Sequence, residues 1–403
     1  MSEDQIAAAE RQAGFLTIAD PLTAEPSTTT AVPEHDVWDL PNGFAWVFPG
    51  DNQPGIVKPI VMADGFNLGR SDLEWLYQGL EGNYPLISAL RQRGMSVILV
   101  GFQERTASIL DNARTVQAAV MRTIAERLGG HPLTVGGFSM GGLITRYTLA
   151  RFETERMDHQ TRTYFSWDTP HRGASIPVGV QAFAHFIPLA NAFARQMNSP
   201  AARQMLWQHY DPGTGAIRPA PERQQFLDEL RRVGDWPRIP RLLGVANGSG
   251  DGSDLKIPAG DTALSVARLF PGTTFHIQPT GRDAKVAYLK RTLPPARKTI
   301  TTSGFPEIDN APGGTLDTFE ILAGALAAKG ATVDLRHPTV CFVPTISAIS
   351  AGELARTEDL YTNVNGLAPE RSDFEDFRCS STNTGHTAIT RELGEWLVER
   401  IAA

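Results

Sequence analysis

Short apolar runs alternate with helical segments through the first half of this chain. The runs PIVMADGF (59–66), SVILVGF (96–102), LTVGGFS (133–139) and TYFSWD (163–168) have the length and composition of buried strands. The segments between them carry apolar residues at helical spacing. Strands that alternate with helices lie parallel, because each helix crosses back over the sheet. The sequence therefore predicts an α/β fold with a mostly parallel central sheet and helices on both faces.

The remaining sequence predicts two insertions into this core. The start of the chain is rich in Ala, Glu, Ser, Thr and Pro, which predicts a mobile arm. After the fourth strand the pattern breaks, and TVCFVPTISAI (339–349) reads as a later core strand. The predicted division is a mobile arm 1–35, core 36–174, a helical lid-like insertion 175–235, a core strand and loop 236–254, a β-rich insertion 255–338, and a last core part 339–403.

Composition and charge exclude several classes of partner. The chain has 403 residues and a net charge of −7, which gives no reason to expect nucleic acid or a polybasic membrane dock. No apolar run approaches the roughly 18 residues of a membrane span. The start MSEDQIAAAERQAGF lacks the basic and apolar regions of a secretory signal. We therefore expect a soluble, cytoplasmic protein, although export by a signal-independent route stays open.

No cofactor or metal is predicted. Cys341 and Cys379 are too few for a disulfide framework and lack metal-ligand spacing, so the sequence leaves open whether they pair. The glycines of NGSGDG suit a dinucleotide site, but no helix opens after them. The sequence contains neither a P-loop nor an HExxH motif.

The segment Gly137-Phe138-Ser139-Met140-Gly141 fits G-x-S-x-G at the junction of a predicted strand and helix. A serine on such a sharp turn holds its hydroxyl clear of the backbone. Glycines two positions to either side avoid clashes with the neighbouring strand and helix. The new helix directs its N-terminal amides at developing negative charge. A glycine-rich turn with an incidental serine is the alternative interpretation.

These motifs resemble those of α/β-hydrolases of the lipase and esterase type. GGFSMGGLITRY is similar to the lipase nucleophile elbow, ADGFN to the loop that supplies an oxyanion amide, and DTPHRGA to the lipase T-P-H-x-G segment. The resemblance spans roughly residues 58–175, with a looser match at 339–403. It implies the α/β-hydrolase fold, Ser139 as nucleophile, and the chain order serine, acid, histidine.

His386 is the expected general base among nine histidines. It lies after the predicted strand 339–349 and directly before the closing helix, where this fold places its base. His337 precedes that strand and His276 lies in the β-rich insertion, while His171 belongs to the T-P-H-x-G turn and is expected to be structural. A surface loop or helix-capping histidine is the alternative interpretation of His386.

Two aspartates compete for the role of the acid. Asp168 ends the fourth strand directly before Thr169-Pro170, whereas Asp251 lies in NGSGDGSD, at the position commonest across the fold. A carboxylate that orients a base must be held still. The strand end and Pro170 restrain the first, while three glycines surround the second. We therefore expect Asp168, with Asp251 as second choice and Asp254 or Asp376 as outsiders.

The resemblance assigns the oxyanion hole to the backbone amides of Met140 and Phe66. Lipases of this kind more often have His-Gly where this chain has Asp64-Gly65, which leaves the side-chain supports of the loop open. Plain core packing is the alternative role for Phe66.

The helical insertion contains many apolar side chains, and lipase-like proteins insert a lid at this point. Either these residues line an acyl-chain pocket or they are buried in an ordinary core. They are Phe183, Phe186, Ile187, Leu189, Phe193, Met197, Met205 and Leu206.

The expected function is hydrolysis of a small-molecule or lipid-like carboxylic ester through an acyl-serine. A thioesterase or acyltransferase would use the same triad, and a non-catalytic binding protein of the same fold is a third alternative.

Overall fold

The computed structural model describes residues 30–187 and 191–402. Most of the predicted arm, residues 1–29, lies outside the described residues, as does Leu189.

The strands and helices follow one another through all parts of the described chain. The strands are β1 Asp36–Leu40, β2 Gly43–Phe48, β3 Ile60–Ala63, β4 Val97–Phe102, β5 Leu133–Phe138, β6 Thr161–Trp167, β7 His209–Tyr210, β8 Ile217–Arg218, β9 Arg241–Ser249, β10 Thr262–Val266, β11 Thr273–His276, β12 Ala284–Thr292, β13 Pro295–Thr302, β14 Gly313–Leu316, β15 Val333–Leu335, β16 Val340–Pro344 and β17 Asp376–Ser380. The helices are α1 Leu73–Glu81, α2 Leu86–Arg91, α3 Ile109–Glu126, α4 Met140–Thr154, α5 Val178–Phe186, α6 Ala192–Met197, α7 Pro200–Met205, α8 Pro221–Arg232, α9 Thr318–Ala328, α10 Thr345–Ala348, α11 Thr357–Leu360 and α12 Arg391–Ala402. Short 3-10 helices span Ile308–Asn310, Val364–Gly366 and Pro369–Arg371.

The central sheet is mostly parallel, as the strand–helix alternation predicts. Its eight strands among the described residues have the order β1-β2-β4-β3-β5-β6-β9-β17. Only the pairs β1–β2 and β2–β4 of this sheet are antiparallel. The register sets Ala63 opposite Gly137 and Phe138 opposite Trp167, so the loops that follow β3, β5 and β6 meet at one edge of the sheet. The site described below lies at this edge.

Helices cover both faces of the sheet. The buried residue Val61 packs in the cluster that holds α3 and α4, while its neighbour Ile60 packs in the cluster that holds α1, α2 and α12. Successive strand residues point to opposite faces, so a strand buried on both sides is a continuous apolar run. The fold class predicted from the sequence is confirmed.

The prediction that residues 339–349 form a strand of the central sheet is wrong. The strand β16 is confined to Val340–Pro344 and pairs with β14 outside the central sheet. The eighth strand of the sheet is instead β17, with the sequence DFRCS. Within the part of the chain that the structure describes, this strand lies at the edge and pairs only with β9, and it exposes Arg378. An edge strand with polar residues lacks the apolar run that marks a central one, so the sequence pattern did not reveal it.

The predicted β-rich insertion contains a five-stranded antiparallel sheet with the order β13-β12-β11-β10-β15. Helix α5 lies against it, since a Cβ on Gly179 would meet Ala287 at 2.8 Å. The ring of Phe183 contacts Phe270 and Phe275 edge-on, at centroid distances of 5.1 and 5.4 Å. The two insertions therefore pack on one another.

The apolar side chains of the helical insertion are mostly buried, as the alternative of ordinary core packing predicts. A role as a lid stays a prediction. The buried ones are Phe183, Phe186, Phe193, Met197, Met205 and Leu206, and Ile187 is partly buried.

Both cysteines are buried free thiols, so Cys341 and Cys379 do not pair. No helix in the described part of the chain is long and apolar enough to cross a membrane.

Candidate active site

Ser139 occupies a strained turn between β5 and α4. Its backbone has φ 53° and ψ −123°, in a region that residues other than glycine rarely adopt. A Cβ on Gly137 would overlap the backbone of Gly141, and a Cβ on Gly141 would overlap the carbonyl oxygen of Ala63. Only glycine therefore allows the helix to start so close to strand β3. This packing holds the serine hydroxyl at the carboxyl edge of the sheet.

The hydroxyl of Ser139 faces the imidazole of His386. The Oγ atom lies 2.8 Å from Nε2, and the two residues are 7% and 1% exposed. The imidazole belongs to the loop between β17 and α12, and the main-chain N–H of His386 donates to the carbonyl of Thr315 at 2.8 Å. The ring of Phe342 packs edge-on against the imidazole at a centroid distance of 4.7 Å. The main chain of His386 is therefore held by Thr315, and its ring by Phe342.

Asp168 completes a buried chain of three side chains. Its Oδ2 lies 2.6 Å from Nδ1 of His386, and its Oδ1 accepts the main-chain N–H of Asn247 at 2.9 Å. The residue is fully buried, with φ 47° just beyond the end of β6. A Cβ on Gly314 would overlap its carboxylate, so only glycine fits there. The carboxylate is thus enclosed by the backbone at Asn247 and Gly314 and by the imidazole of His386.

Asp251, the second choice for the acid, does not bond the imidazole, which bonds Asp168 instead. The carboxylate of Asp251 accepts from the hydroxyl of Ser249 and from the main-chain N–H of Ser253. These hydrogen bonds lower the pKa of Asp251 to about 2. The outsiders also have other partners, since Asp254 bonds Asn310 and Lys256, and Asp376 pairs with Arg241 and Arg400.

The loop after β3 lies beside the serine. A Cβ on Gly65 would lie 3.4 Å from Cβ and 4.0 Å from Oγ of Ser139. The carboxylate of Asp64 accepts the N–H of Gly65 at 2.7 Å. Arg105 lies 3.7 Å from the other carboxylate oxygen and donates to the carbonyl of Leu68 at 3.1 Å. This aspartate and arginine are therefore the side-chain supports that the sequence left open.

The other candidate histidines lie elsewhere. His171 is buried with its ring nitrogens 3.2 Å from Arg146 and 3.1 Å from the hydroxyl of Ser166. Burial and the adjacent guanidinium hold the pKa of His171 well below its usual range, so the imidazole is neutral at pH 7. His276 contacts threonines of the β-rich sheet, and His337 lies 3.3 Å from Asp261.

Among the described residues, no group of three or more His, Cys, Asp or Glu side chains could hold a metal ion. One buried side chain at the site was missed by the sequence analysis. Asn247, at the end of β9, bonds Trp167 and the loop that carries His386. The only sequence signal is its position near the end of β9, and the sequence does not reveal that β9 lies next to β6.

The order of the central sheet and the strained serine turn between β5 and α4 decide the architecture. The chain has the α/β-hydrolase fold. No protein-family model matches this sequence, and no curated protein is significantly similar to it.

Solved structures of lipases and esterases resemble parts of this α/β-hydrolase-fold chain. A mature Bacillus licheniformis lipase is 14% identical and has a TM-score of 0.34, with 50% of this chain and 72% of that chain covered. Est1E from Butyrivibrio proteoclasticus is 13% identical and has a TM-score of 0.33, with coverage of 53% and 77%. An esterase from Pyrobaculum calidifontis is 11% identical and has a TM-score of 0.36, with coverage of 61% and 74%.

Proposed function

We propose that this protein hydrolyses carboxylic esters through an acyl-serine intermediate. One observation carries the proposal: Oγ of Ser139, the two ring nitrogens of His386 and the carboxylate of Asp168 form a continuous chain with steps of 2.8 and 2.6 Å. A serine hydroxyl becomes a useful nucleophile only when a base accepts its proton, and the base needs a carboxylate that fixes its tautomer.

In the first step Oγ of Ser139 attacks the carbonyl carbon of the ester while Nε2 of His386 takes the hydroxyl proton. The Nδ1–H of the imidazole donates to Asp168, whose negative charge stabilises the imidazolium that forms. The tetrahedral intermediate then expels the alkoxide, which receives the proton from Nε2 and leaves as the alcohol. The acyl group stays on the serine.

The negative charge of the intermediate needs donors at the carbonyl oxygen. Met140 is the first residue of α4, and the first N–H groups of a helix have no intrahelical acceptor. The N–H of Met140 and that of Phe66, in the loop beside the serine, are the donors we propose. The positive end of the helix dipole favours the same charge.

Water completes the cycle. Nε2 of His386 accepts a proton from a water molecule as its oxygen attacks the acyl carbon. The second intermediate then collapses to the carboxylic acid, and Nε2 returns the proton to Oγ of Ser139. A thiol or alcohol in place of water would give acyl transfer. Product analysis in the presence of added alcohol or thiol measures what fraction of the acyl groups is transferred rather than hydrolysed.

The experiment compares turnover of p-nitrophenyl butyrate by the wild type with that of Ser139→Ala and His386→Ala. We expect kcat to fall by about 10⁴-fold or more in each variant, to the level that binding and the oxyanion donors alone sustain. The matched control is Ser166→Ala, because Ser166 is also buried and lies 3.1 Å from a histidine ring nitrogen. Wild-type turnover in Ser139→Ala would refute the proposal.

A further inference from the structure

Asn247 is a fully buried amide whose hydrogen-bonding groups are all engaged. Its Oδ1 accepts the indole N–H of Trp167 at 2.9 Å. Its Nδ2 donates to Oγ1 of Thr384 at 2.9 Å and to the carbonyl of Ala388 at 2.8 Å. Its main-chain N–H donates to Asp168, and its carbonyl accepts the main-chain N–H of Thr384.

We propose that Asn247 is a positioning residue that holds the general base against the nucleophile. The inference builds on the proposed function, because it assigns a role toward the base of that reaction. The two side-chain donations reach residues 384 and 388, two positions before and two positions after His386. The amide of Asn247 therefore hydrogen-bonds the loop on both sides of His386.

The orientation of the amide follows from its partners. An indole N–H can only donate, so the side-chain atom that faces Trp167 must be the oxygen of Asn247. The NH₂ group then faces Thr384 and the carbonyl of Ala388, which accept its two protons. Aspartate would lack both donors, and alanine would leave the indole and the Ala388 carbonyl without this partner. Asparagine supplies one acceptor and two donors at the required length.

The same residue also fixes the acid. Its main-chain N–H bonds Oδ1 of Asp168, while Oδ2 of that carboxylate bonds the imidazole. One residue at the end of β9 thus contacts the acid through its backbone and the base loop through its side chain. Substitutions at Asn247 keep its main-chain bonds to Asp168 and Thr384. They remove the two side-chain donations to the loop, and alanine also removes the acceptor of the Trp167 indole. Their effect therefore reports on the position of His386.

Gln181 provides a matched control. It is equally buried, its Nε2 donates to the carbonyls of Ile176 and Gln208, and its Oε1 accepts the N–H of Tyr210. It has the same pattern of two donations and one acceptance, with no partner in the chain of Ser139, His386 and Asp168. Loss of a buried amide lowers stability at both sites. Only the change at Asn247 should alter catalysis.

The experiment measures kcat and KM for p-nitrophenyl butyrate, per active site titrated with a fluorophosphonate, in Asn247→Ala, Asn247→Asp and Gln181→Ala. For both variants of Asn247 we expect kcat to fall by about 10- to 100-fold with KM within about twofold, because small misplacement of a catalytic group costs rate rather than binding. Gln181→Ala should lower Tm to a similar degree and keep kcat within about twofold.

A wild-type kcat in Asn247→Ala, with Tm lowered as in Gln181→Ala, would overturn the positioning role and leave the ester-hydrolase proposal intact. Turnover that survives Ser139→Ala would instead refute the hydrolase proposal. If neither variant of Asn247 folds, Thr384→Val decides, since it removes one of the two side-chain partners. We expect about a 2- to 10-fold lower kcat at unchanged KM in that variant, and an unchanged kcat would contradict the inference.

Discussion

The carboxylate of Asp168 lies 2.6 Å from the imidazole of His386, although 218 residues separate them in the chain. Asp168 follows β6, and His386 follows β17 at the edge of the sheet, with β9 between these strands. Both residues are buried, so water does not weaken their electrostatic interaction. The contact between Asp168 and His386 therefore forms only because β6, β9 and β17 lie side by side in this order.

This contact predicts that the two candidate acids behave differently. Asp168→Asn should lower kcat by about 10³- to 10⁴-fold, because an amide no longer selects the tautomer with the proton on Nδ1. Asp251→Asn should keep kcat within about threefold, since that carboxylate bonds Ser249 and Ser253 of its own turn rather than the imidazole. Steady-state hydrolysis of p-nitrophenyl butyrate measures both. A greater loss in Asp251→Asn than in Asp168→Asn would contradict the assignment.

The turn at Ser139 is packed so tightly that even the methyl group of alanine should not fit at Gly141. A Cβ on Gly141 would overlap the carbonyl oxygen of Ala63, so Gly141→Ala should lower the free energy of unfolding by about 1–3 kcal/mol or more. Gly324, in α9, has open space around its Cβ position, and Gly324→Ala should raise stability by up to about 1 kcal/mol. Urea denaturation of both variants measures the difference. Equal stabilities would show that the elbow is not so tightly packed.

Arg105 is predicted to support the oxyanion loop. Its guanidinium lies 3.7 Å from the buried carboxylate of Asp64 and bonds the carbonyl of Leu68. Arg105→Gln would leave that carboxylate without its cation, so the loop should shift and kcat should fall by about 10- to 100-fold. Arg114→Gln, which breaks an exposed pair with Asp111, is the control and should keep kcat within about twofold. Hydrolysis kinetics at constant ionic strength compare the two variants. Equal kcat values would show that Arg105 does not support the loop after β3.

Asp309 makes stability depend on pH. It is buried, with Oδ2 bonded to the N–H of Gln278 and no hydrogen-bond partner for Oδ1 among the described residues. Burial raises the pKa of its carboxyl to about 6. Between about pH 4 and pH 6 the folded state therefore holds a proton that the unfolded state has lost, so stability falls as pH rises through this window. A shift of roughly two units corresponds to about 3 kcal/mol.

The variant Asp309→Asn should not show this loss. We expect its free energy of unfolding to exceed that of the wild type by more at pH 7.5 than at pH 4.5, by up to about 3 kcal/mol. Chemical denaturation at the two pH values measures this difference. The exposed variant Asp283→Asn is the control and should show little change between them. A wild-type pH dependence in Asp309→Asn would contradict the prediction.

Local sequence patterns correctly predicted the secondary-structure elements that are determined by residues close together in the chain. The apolar runs predicted β3, β4, β5 and β6, and G-x-S-x-G at a strand–helix junction predicted the turn at Ser139. The family resemblance, together with the place of His386 after a predicted strand and before the closing helix, indicated it as the candidate base. These features depend on stretches of a few residues, in which apolar periodicity and glycine spacing determine the backbone conformation.

Features that depend on strand order were beyond the sequence. The preference for Asp168 over Asp251 rests on the restraint of a strand end and Pro170, because the strand end that faces the imidazole cannot be read from the sequence. Asn247 gains its partners only because β9 lies next to β6. The polar edge strand β17 lacks a long apolar run, so the earlier apolar stretch 339–349 took its place in the prediction.

The central claim is that Ser139 is the nucleophile and that its carbonyl substrate is held by the amides of Met140 and Phe66. A crystal structure of the protein inactivated by a p-nitrophenyl phosphonate tests it most directly. We expect phosphorus bonded to Oγ of Ser139, with one phosphonyl oxygen within hydrogen-bond distance of both N–H groups and Nε2 of His386 beside the adduct. An adduct on another residue, or full inactivation with Ser139 unmodified, would contradict the account.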